Sequence, residues 1–172
     1  SCIKKYYAAK KTPFEILISE EDVPLGTAGA IKNAQSLIRS HVFLVLNGDS
    51  HAKIDLVDFL GFHLKNKALV SMAVSKIKNS AAFGSVVLDA RNHIKNFQEK
   101  SSRHPAETYV NAGMYFFQKE ILEQIPVQKN VSLEEDLFPA LETNKFLGYK
   151  ISSPFIDIGT PKSYKKAKES FE

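Results

Sequence analysis

The stretch His41-Val42-Phe43-Leu44-Val45-Leu46-Asn47-Gly48-Asp49 decides the fold. Residues 42–46 are an unbroken apolar run, β-branched and aromatic in part and too short for a helix. Such a run marks a strand covered on both faces, as in a parallel sheet. Asn47-Gly48-Asp49 ends it with turn-forming residues.

Upstream, Ala28, Ile31, Ala34 and Ile38 share one helical face. Phe14, Ile16 and Ile18 alternate with polar residues, which predicts a strand. Ile3, Tyr6 and Tyr7 have helical spacing, so residues 1–10 read as the end of a helix. Downstream, residues 55–65 predict a helix with Leu56, Phe59, Leu60 and Leu64 inward, and residues 68–74 a second buried strand. This order is that of a doubly wound α/β sheet. The pattern then changes. Residues 83–88 and 93–97 flank the turn-rich Asp89-Ala90-Arg91-Asn92 and read as a hairpin. Residues 109–117 form a long strand. Ser132-Leu133-Glu134-Glu135 is a capping box opening a helix to about Thr143. Residues 146–151 and 155–158 are short strands, and Pro161 suits the first turn of a last helix. The expected sheet is mixed, within one domain spanning 1–172.

The 172 residues, 44% apolar, suffice for one core. A single cysteine, Cys2, excludes a disulfide framework and a Cys-based metal site. The longest apolar run is far too short to span a bilayer, and nothing reads as a signal peptide. A cytoplasmic enzyme without membrane attachment is the expectation. The net charge of +4 is compatible with phosphate-bearing ligands, while the run of Lys162, Lys165, Lys166 and Lys168 reads as the solvated face of a helix. Nucleic-acid binding would need exposed aromatics on a basic stripe, and the aromatics here sit in core-like patterns.

Five short segments are able to carry chemistry. Asp49, at the carboxyl end of a strand, is placed either to hold Mg²⁺ or simply to turn the chain. Pro24-Leu25-Gly26-Thr27-Ala28-Gly29-Ala30 is either a glycine loop gripping a base or phosphate through main-chain N–H groups at a helix start, or a helix start with small residues for packing. Glu99-Lys100, past a strand, pairs a sugar-hydroxyl acceptor with a phosphate-binding cation, or else is a solvated strand end. Gly113 interrupts a strong strand, which points to a bulge or a close ligand approach, and Asn111 beside it is a ligand hydrogen-bonder. Asp157 is a lone acid in an apolar stretch, requiring a cation or donors, or serving as an N-cap.

The ordered set PLGTAGA, LNGD, FGSVVLD, FQEK, VNAGMYFF, SLEEDLFP and FIDIGTPKSYKKA resembles the sugar-1-phosphate nucleotidyltransferases over nearly all of residues 14–170. Short bacterial mannose-1-phosphate and D-glycero-D-manno-heptose-1-phosphate guanylyltransferases look most similar. The resemblance implies a three-layer Rossmann-like fold with a mixed, mostly parallel sheet. It implies transfer of a nucleoside monophosphate from a nucleoside triphosphate to a sugar 1-phosphate with release of pyrophosphate. GTP and mannose or heptose 1-phosphate are the implied pair, and a homo-oligomer is compatible with it. By the same resemblance Asp49 and Asp157 hold Mg²⁺, and Leu25, Gly26, Thr27, Ala28, Gly29, Asn47 and Gly48 lie against the nucleotide. Gly84, Glu99, Asn111 and Glu134 lie against the sugar, and Lys100 takes its phosphate.

The family's glycine-rich loop L-A-G-G-x-G-T-R-L, with its first βαβ unit, has no match here, so this chain alone is expected to be an N-terminally truncated, inactive domain. Two further readings compete: a silent nucleotide-sugar-binding regulator and a choline-phosphate cytidylyltransferase.

Overall fold

The computed structural model describes residues 2–78, 85–98, 107–152 and 155–171. The elements run α1 (Cys2–Ala8), α2 (Gly26–Asn33), β1 (Val42–Leu46), β2 (Ser50–Ala52), α3 (Leu56–Lys65), β3 (Val70–Lys78), β4 (Ser85–Leu88), β5 (Ile94–Gln98), β6 (Glu107–Gln118), α4 (Phe138–Ala140), β7 (Phe146–Ile151), β8 (Phe155–Asp157) and α5 (Pro161–Phe171). Six strands form the main sheet, in the order β5-β4-β6-β3-β7 with β1 also on β6, while β2 and β8 form a two-stranded ribbon.

The sheet is mixed, as expected. Its balance differs from the expected mostly parallel one: among the described strands β3–β7 is the parallel pair, and β6 runs antiparallel to β1, β3 and β4. The described elements between β3 and β6 are the β4–β5 hairpin, which reverses the chain without the crossover a parallel pair requires.

Alternation along the strands sorts side chains into two cores, giving three layers. Val70, Met72, Tyr115 and Phe117 pack with Ala28 of α2, Leu133 and Phe138 on one face. Ala73, Ala112, Met114 and Phe116 pack with Phe59 of α3 on the other. Asp55 caps α3 by accepting from Val57 N at 2.9 Å and Asp58 N at 3.0 Å. Among the described residues no helix is long and apolar enough to cross a membrane.

Four local expectations fail for identifiable reasons. Residues 14–18 alternate but have no strand partner among the described residues, and Phe14, Leu17 and Ile18 are exposed. β1 is half-buried rather than covered on both faces, because among the described strands it pairs only with β6. In α3 the buried residues are Phe59 and His63; Leu56 projects from its first turn, and Leu64 lies about 100° around the helix from His63, so both are exposed. The helix from Ser132 is instead a π-turn, Leu133–Leu137, followed by the three-residue α4. Leu137 N donates to Ser132 O at 3.0 Å, one residue beyond α spacing. Pro139, lacking an N–H, cannot carry the ladder on. The capping box shifts accordingly. Ser132 Oγ accepts from Glu135 N at 3.2 Å, but Asp136, not Glu135, reaches back to Ser132 N, at 2.7 Å.

Candidate active site

The β2–β8 ribbon brings the two candidate metal ligands together. Ser50 pairs with Asp157, and Ile158 N donates to Asp49 O at 2.8 Å, so the residues flanking the ribbon are in register. A Cβ built on Gly159 would lie 3.3 Å from Asp157 Oδ1 and 3.4 Å from Asp49 Oδ2. Two carboxylates from distant parts of the chain thus lie near one point beside Gly159. Mg²⁺ is commonly bound through one or two carboxylates, with other positions kept for water and phosphate oxygens, and the donor types here are compatible with that. Among the described residues there is no cluster of three or more His, Cys, Asp or Glu.

Asp157 does not cap α5. Its Oδ1 accepts from Gly159 N at 2.8 Å in a local turn. The cap is Thr160, whose Oγ1 accepts from Ser163 N at 3.1 Å while Ser163 Oγ accepts from Thr160 N at 3.1 Å.

Gly113 holds the Asp49 loop from below. It adopts φ +71° at a bulge where the β3–β6 register slips between Met72 and Val74. Its carbonyl accepts from Asn47 N at 2.8 Å. A Cβ there would lie 3.0 Å from the Cβ atoms of both Asn47 and Ser50. The bulge read from the sequence is therefore present, and what approaches it closely is the protein's own loop. Nothing approaches the Cβ position of Gly48, which is open on that side.

The Asn111 side chain faces inward. Its Oδ1 accepts from Gly113 N at 2.9 Å, and its Nδ2 donates to Tyr115 OH at 2.6 Å and to Glu134 Oε1 at 3.4 Å. Burial pushes the Glu134 carboxyl above its usual range. Burial first, and then the nearby Glu134 charge, push the Tyr115 hydroxyl far above its usual range.

The glycine loop is docked onto residues 130–133. Ala28 N and Gly29 N donate to Val131 O at 2.9 and 3.2 Å, Val131 N donates to Leu25 O at 2.8 Å, and Leu133 N donates to Thr27 Oγ1 at 2.8 Å. Leu25 N donates to Glu21 Oε2 at 3.0 Å, and the Leu25 side chain is buried. Gly26, at φ +73°, has Val131 O 2.5 Å from where its Cβ would be. The expected free N–H groups are thus engaged within the chain at Leu25, Ala28 and Gly29. The main-chain groups of Gly26 and Thr27 are the part of the loop outside this pairing.

Gly84, Glu99 and Lys100 lie outside the described residues. Tyr115 is core, as its apolar strand implies, and its hydroxyl in addition meets Asn111. Sequence reasoning missed Val131, to which the loop is tied.

An open α/β sheet with acidic and glycine-bearing segments gathered at its strand ends is the layout of nucleotide- and phosphate-handling domains. The chain belongs to the nucleotidyl transferase family, whose model matches residues 2–172. It is 35% identical over 147 residues to the mannose-1-phosphate guanylyltransferase of Mycobacterium tuberculosis, covering 84% of this chain and 41% of that protein. It is 31% identical over 172 residues to the D-glycero-alpha-D-manno-heptose 1-phosphate guanylyltransferase of Aneurinibacillus thermoaerophilus, covering 99% of this chain and 73% of the relative. The crystal structure of HddC from Yersinia pseudotuberculosis superposes with a TM-score of 0.87 at 30% identity, covering 99% of this chain and 73% of that one. HddC complexed with GMP-PN superposes with a TM-score of 0.86. The chain spans under half the length of the mannose-1-phosphate guanylyltransferases it matches.

Proposed function

We propose that this chain is the part of a sugar-1-phosphate guanylyltransferase that holds the metal and the sugar phosphate. The observation that carries the reading is the convergence of Asp49 and Asp157 on one point beside Gly159, in a member of the nucleotidyl transferase family. The guanine base and a manno-configured sugar follow from the activities for which the similar guanylyltransferases are named. In the reaction a phosphate oxygen of the sugar 1-phosphate attacks the α-phosphorus of GTP, the α–β bridging P–O bond breaks, and pyrophosphate leaves with that electron pair.

Asp49 and Asp157 would hold Mg²⁺, which when bound offsets charge on the phosphates. The residues themselves then work by placement. The Gly113 bulge and the β2–β8 ribbon fix the carboxylates, so little reorganisation is needed as substrates arrive. Glu134 meets a sugar hydroxyl as acceptor. Gly26 and Thr27, with Asn47 and Gly48, take the nucleotide, as the family resemblance implies. Glu99 and Lys100 take the sugar and its phosphate, as the family resemblance implies, with Gly84 against the ring.

The test is pyrophosphate release by the complete protein with Mg²⁺, pairing GTP with mannose 1-phosphate, GTP with the manno-heptose 1-phosphate, and CTP with choline phosphate. Turnover with either GTP pair supports the reading. Turnover with CTP and choline phosphate alone, or with no pair, overturns it.

A further inference from the structure

Tyr115 is fully buried, with its ring 5.8 Å from Phe117 and 5.5 Å from Phe138. A phenylalanine would pack there equally well, and a buried hydroxyl is costly unless it is bonded. This hydroxyl accepts from Asn111 Nδ2 at 2.6 Å, and the same nitrogen donates to Glu134 Oε1 at 3.4 Å. The Asn111 amide is engaged at both ends, by Gly113 N on its oxygen and by Tyr115 and Glu134 on its nitrogen. Continuing along the chain, Gly113 O accepts from Asn47 N, two residues before Asp49. One hydrogen-bonded path therefore links Glu134 to the loop that carries Asp49.

We infer that Tyr115 is a positioning residue which fixes the Asn111 amide and, through it, holds the Glu134 carboxylate toward the acceptor sugar. The inference rests on the proposed function for the identity of the sugar 1-phosphate. The clamp itself is independent of that identity. A partly buried hydrogen-bonded network of this kind sets orientation more than it adds binding energy.

Tyr115→Phe removes the hydroxyl and keeps the ring. In the complete protein, assayed with Mg²⁺, GTP and mannose 1-phosphate, it is expected to raise KM for mannose 1-phosphate about tenfold, the worth of one hydrogen bond to a charged group. KM for GTP should stay essentially unchanged. In a Glu134→Gln background the same substitution should have no further effect on KM, because the carboxylate it orients is gone. Separately, ¹³C-carboxyl NMR should show the Glu134 titration midpoint moving up in Tyr115→Phe, since Asn111, released by the lost hydroxyl, no longer holds its Nδ2 donor on the carboxylate.

An effect of Tyr115→Phe equally large in both backgrounds would indicate general loosening of the core and overturn the inference. So would an unmoved Glu134 midpoint in a variant whose amide spectrum shows an intact fold. If no sugar 1-phosphate turns over at all, the proposed function fails, while the carboxyl titration still decides the clamp.

Discussion

Asp49 and Asp157, 108 positions apart in the chain, meet across Gly159, with Oδ2 of one and Oδ1 of the other 3.4 and 3.3 Å from a single point. Like charges this close repel unless a cation or donors intervene. A Cβ on residue 159 would touch both carboxylates.

Asp49→Asn and Asp157→Asn are each expected to lower Mg²⁺-dependent pyrophosphate release roughly a hundredfold or more. Asparagine keeps the shape and, at 157, an Oδ1 acceptor for Gly159 N, so the melting temperature should hold. Isothermal titration with Mg²⁺ in the presence of GTP separates the two effects. Wild-type turnover in both variants would remove the metal assignment.

Gly159→Ala tests the same point without touching a charge. Its Cβ would sit 3.3–3.4 Å from both carboxylates, tight enough to spread them without unfolding the chain. The expected result is a several-fold higher Mg²⁺ requirement at near-normal stability. Unchanged Mg²⁺ dependence would mean the carboxylates do not share an ion there.

Gly113→Ala and Gly26→Ala place an L-residue at φ +71° and +73°, costing about 1–2 kcal/mol each from backbone conformation alone. Contact adds to this, since the Gly26 Cβ would be 2.5 Å from Val131 O and the Gly113 Cβ 3.0 Å from Asn47 and Ser50. Gly26→Ala should therefore destabilise more in urea denaturation. Gly113→Ala should additionally weaken Mg²⁺ binding, because it displaces the loop bearing Asp49.

His63 is sealed on the buried face of α3, with Nδ1 2.9 Å from Ser71 Oγ, and burial lowers its pKa from 6.5 to about 4. Folding then favours the neutral ring. The unfolded chain takes up a proton below pH 6.5 and the folded chain only near pH 4, so stability is full above pH 6.5 and falls between these limits. The loss is at most about 3 kcal/mol. Urea melts at pH 7.5 and 4.5 should show it, and His63→Gln, which cannot titrate, should flatten the difference. An equal pH dependence in that variant would assign the loss to other groups.

Much of this was legible from the residues. The apolar run at 42–46 and the motif order located the strands, and Gly113 announced its bulge because a glycine inside so apolar a strand has few other uses. Asp157 was legible as a partner-seeking acid. Long-range pairing was not. Val131 carries no chemical signal, and Thr27 meets Leu133 across 106 positions. Nor was the fate of the loop amides, since a helix start reads the same whether its N–H groups face a ligand or a neighbouring carbonyl. The alternation at 14–18 misled because strand pattern is necessary for a strand but a partner makes one. The π-turn was hidden because its register departs from the α spacing assumed in reading a capping box.

The docking of residues 25–29 onto Val131 and Leu133 has a mechanical consequence. Glu134 follows Leu133 directly, so the loop proposed for the base and the acid proposed for the sugar are fastened to one rigid piece. Displacing either segment must therefore carry the contact proposed for the other with it.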